Sequence, residues 1–118
     1  MDSILNSVKK LLGIAPDYTQ FDADIIMHIN AVFLTLYELG VGPSEAFFIT
    51  DDIAVWDDYI SDDYLLLNAV RIYISQKVRL VFDPPTNSAL IEALKSSIEE
   101  FEWRMNAMVD PRDTFEEA

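Results

Sequence analysis

The chain has 118 residues, 51% of them hydrophobic and 12% aromatic, enough for one domain with a buried core and too apolar for disorder. Its 21 acidic residues against 8 basic ones give a formal net charge of -13, which repels nucleic-acid phosphates and argues against ordinary DNA or RNA binding. With no cysteine and a single histidine, disulfides, thiolate chemistry and cysteine-ligated zinc are excluded, and most other metal or triad arrangements go with them.

In chain order, Ile4, Leu5, Val8, Leu11 and Leu12 recur at helical spacing opposite Asn6, Lys9 and Lys10, and Gly13 and Pro16 supply a stop. Asp22 is positioned to cap a second helix whose core face reads Ile25, Ile29, Val32, Phe33 and Leu36, with Asp24, His28, Thr35 and Glu38 opposite and Gly40 suited to the left-handed position at its end. Residues 44–60 lose this period; two short apolar runs flank Asp51-Asp52, compatible with a small hairpin or an ordered irregular loop. Here Asp51, Asp52, Asp57, Asp58, Asp62 and Asp63 fall in three pairs with no basic residue between them.

A third helix is expected over 62–82, with Leu66, Val70, Tyr73, Ile74, Val78 and Val81 on a broad apolar face and Asn68, Arg71, Ser75 and Arg79 on a polar strip. Lys77 projects from the apolar side, either snorkelling to solvent or pairing with an aspartate. Asp83, Pro84 and Pro85 then form a rigid corner, because proline removes a donor and clashes with the preceding turn. Thr86 or Asn87 caps a fourth helix with the seam Ile91, Leu94, Ile98, Phe101, Met105 and Met108, and with Lys95–Glu99 and Glu100–Arg104 spaced for ion pairing outside. Trp103 lies almost opposite that seam, where an indole calls for a partner to cover it. The expected architecture is all-α: a small four-helix domain over 1–109, with a short irregular or hairpin-containing loop between helices two and three, and a flexible acidic tail over 110–118. No apolar run reaches about 18 residues and no basic-then-apolar leader opens the chain, so neither membrane spanning nor secretion is expected.

Catalysis is disfavoured residue by residue. His28 reads as a surface histidine paired with Asp24, with no nucleophile marked for it. The aspartate pairs lack the alternating ligands, turn glycine and terminal glutamate of an EF-hand loop, and three glycines cannot build a phosphate cradle. Neither cofactor nor metal is expected. What stands out is charge segregation: Arg71 and Arg79 share one strip while the aspartates share one loop. That asymmetry suits head-to-tail self-association, in which one copy's positive face meets another's negative face.

The chain resembles the head-tail connector (adaptor, or head-completion) proteins of tailed bacteriophages and prophages over roughly residues 1–109. The resemblance rests on the ordered pieces ILNSVKKLLGI, DYTQFDADIIMHINAVFLTLYELGVGP, ITDDIAVWDDYI, YISQKVRLVFDPPTNSALIEAL and IEEFEWRMN. It implies a structural virion protein at the neck, made in the host cytoplasm and assembled as a ring, typically twelvefold, beneath the portal protein. Such a ring holds packaged DNA, passes it without sequence-specific binding, and carries the next neck or tail-completion protein. On that footing Trp103, Arg71 and Arg79 are candidate subunit-interface residues, and the six aspartates a candidate acidic channel or rim. Asp83, Pro84 and Pro85 become a structural hinge, and Asp110 and Phe115 candidate portal contacts. The alternative from another class is an acidic phage-encoded inhibitor, a DNA mimic bound to a host DNA-binding protein.

Overall fold

Ser3 opens the first helix, accepting a hydrogen bond from the Asn6 amide at 3.0 Å through its side chain. The computed structural model describes the backbone of residues 3–117 and the side chains of residues 3–109. Helix α1 (Ile4–Leu11) is followed by α2 (Asp22–Glu38), a one-turn α3 (Trp56–Tyr59), α4 (Tyr64–Phe82) and α5 (Ser88–Glu117). Among the described residues there is no strand, only an isolated antiparallel bridge between Ser3 and Val55. The all-α expectation holds, the irregular loop stands in place of the hairpin, and α3 is an element the periodicity did not announce.

Helices α1 and α2 end as expected on Gly13 and Gly40, whose φ values of 79° and 81° are left-handed. Each lets the next amide reach back to close the last turn, Ile14 to the Lys9 carbonyl at 2.8 Å and Val41 to that of Leu36 at 2.9 Å. The buried face of α1 is rotated from the expected one. Leu11 is 62% exposed, whereas Lys9, expected on the polar side, is fully buried. Its ammonium donates to the carbonyls of Pro16 at 3.0 Å and Tyr18 at 2.8 Å and lies 2.8 Å from Asp22 Oδ1. Asp22 is therefore committed to an ion pair, and α2 starts from Phe21 without a side-chain cap. The Asp22 oxygen has this electrostatic partner but no well-aligned hydrogen bond of its own.

All five residues expected on the core face of α2 are buried. From that helix Asn30 reaches the loop, donating to the Ile49 carbonyl at 2.9 Å and accepting from the Ile49 amide at 2.8 Å. One side-chain amide thus does for residue 49 what a neighbouring strand would do, and no hairpin is needed to satisfy it. Phe47 packs edge-on against Phe33 and tilted against Tyr59, fastening the same loop from inside. Trp56 on α3 is buried and donates through Nε1 to Ser7 Oγ at 3.1 Å, tying α3 to α1.

Helix α4 packs against both α2 and α5 and contributes the largest set of buried side chains. Asp83 closes it and α5 starts at Ser88, so Pro84 and Pro85 fill the turn between them. Asn87 is the cap, accepting from the amides of Ala89 and Leu90 at 2.7 and 3.3 Å. Two contacts show the helices running antiparallel: Gln76 bonds Ser97 at 2.9 Å and Tyr73 bonds Glu102 at 2.6 Å. Ile98 and Met105 of the seam are buried and Leu94 and Phe101 half-buried, but Met108, like Val81 on α4, is exposed. Lys77 pairs with Glu102 at 3.8 Å rather than with an aspartate, and Lys95 with Glu92 at 3.9 Å rather than with Glu99. The backbone of 110–117 continues as α5; the side chains of Asp110 and Phe115 lie outside the described residues.

Burial pushes the Tyr73 phenol well above its ordinary value, and the hydrogen bond and negative charge of Glu102 push it further; burial alone raises Tyr59. Both folded values exceed the unfolded value of about 10. The stability these phenols contribute is therefore complete below about pH 10 and is lost as pH rises through the folded values. An alkaline titration should show the phenolate absorbance of these two residues appearing together with loss of the helical circular-dichroism signal. Ionisation of both with helicity intact would contradict the assignment.

Candidate functional site

The six aspartates occupy the segment that leads through α3 into α4, and one member of each pair is used by the backbone. Asp51 Oδ1 accepts from the Ile53 amide at 2.9 Å, Asp58 Oδ2 from the Val55 amide at 2.9 Å, and Asp63 Oδ1 from the Leu66 amide at 3.1 Å as the N-cap of α4. Short acceptors of this kind stabilise turns and helix starts. Asp52 and Asp62 are exposed, while Asp57 has one carboxylate oxygen buried without a hydrogen-bond partner. Half of the loop's carboxylates therefore fix its shape, and all six add to its negative potential.

The same segment carries exposed apolar side chains. Ile53 at 76% directly follows one aspartate pair and Leu65 at 77% lies two residues after another, and Phe48 and Tyr64 are also more than half exposed. Apolar groups set among charges are the composition of a protein contact, with a dry centre and a polar rim. Composition and charge counting alone missed this, because Phe48 and Ile53 sit outside any helical period and Tyr64 and Leu65 lie in the first turn of α4, off its core face.

Trp103 is 72% exposed on α5, as its register requires. Arg104 beside it is ion-paired to Glu100 one turn earlier. Arg71 and Arg79 are both exposed on α4, and neither has a carboxylate partner among the described residues. They differ in surroundings. Arg71 lies over the ring of the buried Trp56, 5.4 Å from its centroid. Arg79 edges an open groove of about 470 Å³ between the end of α1, α4 and the start of α5, lined by Leu11, Pro85, Leu90 and Leu94. The structure thus does not bring Trp103 to the two arginines within one copy.

No group of three or more side chains suited to holding a metal ion occurs among the described residues. His28 does not pair with Asp24; its ring stands edge-on to Phe82 at 6.4 Å. Among the described residues no helix is long and apolar enough to cross a membrane.

Among the described residues, then, a small helical unit presents a shaped acidic loop, an exposed indole and two guanidiniums without carboxylate partners. The model of the phage connector proteins matches residues 4–112, nearly the whole chain. The chain belongs to this connector family. The connector's role is accordingly structural, at the junction of head and tail in the virion neck, in association with other head and tail proteins of the phage. The family is typically non-enzymatic. Neither a curated protein nor a solved structure matches this connector.

Proposed function

We propose that copies of this connector assemble as a closed ring beneath the portal, with DNA passing through an opening edged by the acidic segment at 51–63. The observation that carries the ring is Trp103: an indole 72% exposed on a regular helix that also lines, at its other end and on another side, an apolar groove this indole cannot itself reach. Tryptophans at such positions are enriched among the residues that dominate interface energy. A ring also gives the negative charge a use. Repeated around an opening, it lets phosphates pass without adhering. Asp110 and Phe115 remain the proposed contact with the portal, and the next neck or tail-completion protein binds the opposite side. Before assembly the subunit resides in the host cytoplasm.

A second placement of the acidic segment is favoured by Ile53 and Leu65, whose exposed apolar surface suits the ring's rim against a partner protein. The DNA-mimic reading is less well supported, since a mimic spreads its carboxylates along a face at phosphate spacing. Here they crowd one loop and half of them cap its turns.

Electron microscopy of particles or portal complexes tests the ring directly, through the presence of a collar formed by this chain. Trp103→Ala should weaken each contact by about 2 kcal/mol, or about 30-fold, and deplete the chain from particles. Its helical signal and thermal midpoint should stay within experimental error of the parent. A variant that unfolds instead would place Trp103 in the core.

A further inference from the structure

Building on the ring reading, we infer that Trp103 of one copy seats in the α1/α4/α5 groove of the next, with Arg79 of the receiving copy over the indole. Three observations converge on this pairing. The groove's apolar lining is unfilled: Leu11 and Leu90 are both more than half exposed although they flank a concavity. Trp103 is the largest exposed apolar side chain on the described surface, and it needs cover of that kind. Charge then matches across the contact. Glu99, one turn before Trp103, has no ion-pair partner among the described residues, because Lys95 has turned to Glu92. Arg79 at the groove is likewise without a carboxylate among them.

Geometry makes the contact intermolecular and directional. At about 100° per residue, Trp103 projects from nearly the opposite side of α5 to Leu90 and Leu94, and it lies roughly 15 Å further along the axis. No copy can fill its own groove. Projection and groove are different surfaces, so the contact is heterologous: each copy gives on one side and receives on the other, which is what a closed ring requires. A guanidinium stacked on an indole and paired to a carboxylate one turn away would also offset part of the repulsion between copies that each carry a formal charge of -13.

The test uses full-length chain in assembled particles, with the collar followed by electron microscopy. Trp103 replaced by the photoreactive p-benzoylphenylalanine should cross-link to a neighbouring copy at Leu11, Leu90 or Leu94, identified by mass spectrometry. Arg79→Glu and Glu99→Arg should each lower incorporation about tenfold, equivalent to about 1.4 kcal/mol per contact, and the double variant should restore it. Circular dichroism of all three should match the parent. A collar that is present while Trp103 cross-links to portal, tail protein or another surface overturns the inference and leaves the ring standing. Failure of the double variant to recover, with the singles impaired and folded, overturns it as well. Absence of any collar removes the ring and this contact together.

Discussion

Lys9→Ala should destabilise the fold by about 3–5 kcal/mol, the range for stripping one partner from a buried ion pair. The ammonium donates to the carbonyls of Pro16 and Tyr18 and faces the charge of Asp22 Oδ1 at 2.8 Å, and the lysine side chain has no exposed surface. Truncation leaves two carbonyls and a largely covered carboxylate unanswered, and a void where four methylenes had packed. Against a total stability of about 5–15 kcal/mol for a domain of this kind, that is a large share. The thermal midpoint should fall by about 12 °C or more. Asp22 retains 25% side-chain exposure, so Asp22→Ala should cost less, and the double variant less than the sum of the two. A loss below about 1 kcal/mol for Lys9→Ala in urea denaturation would show that water replaces the ammonium without penalty. The consequence reaches the surface, since this lysine holds the turn after α1, directly behind Leu11, which lines the groove.

Lys9 also shows where sequence reading loses its grip. It stands one turn after Leu5 and a short turn before Leu12, so register alone puts it at the edge of the buried face. Its charge argued it outward, and its three partners, two carbonyls and a carboxylate, lie 7 to 13 positions ahead, beyond any local rule. By contrast, the α2 face, the two glycine stops, the Asn87 cap and the exposure of Trp103 follow from periodicity and capping chemistry within a few residues. The loop fell between these cases. Its aspartate pairs were visible as charge, but the division of labour between the capping Asp51, Asp58 and Asp63 and their neighbours depends on backbone geometry. Asn30 carried no signal at all, because an amide on a helix becomes a strand substitute only when Ile49 arrives 19 residues later. The Arg71–Arg79 strip was legible as a strip; that one guanidinium covers a core tryptophan and the other edges a groove was not.

The connector's two tryptophans therefore separate folding from assembly. Trp56→Ala should cost about 3–5 kcal/mol, the usual penalty for emptying a large buried aromatic site. The Ser7 hydroxyl, itself buried, would lose its donor, and Arg71 would lose the ring beneath it. Trp56→Phe keeps most of the apolar volume but not the indole N–H, so it should cost nearer 1 kcal/mol. Because α3 hangs from this residue, the amides held by Asp51, Asp58 and Asp63 should exchange faster in Trp56→Ala even under native conditions. Trp103→Ala should leave both the denaturation midpoint and those amides unchanged while particles lose the chain. The remaining tryptophan supplies the fluorescence signal in each variant. If Trp56→Ala unfolds at the parent's midpoint, α3 is not anchored to α1 through this side chain, and the acidic segment is held by its other contacts, among them Asn30, Phe47 and the Ser3–Val55 bridge.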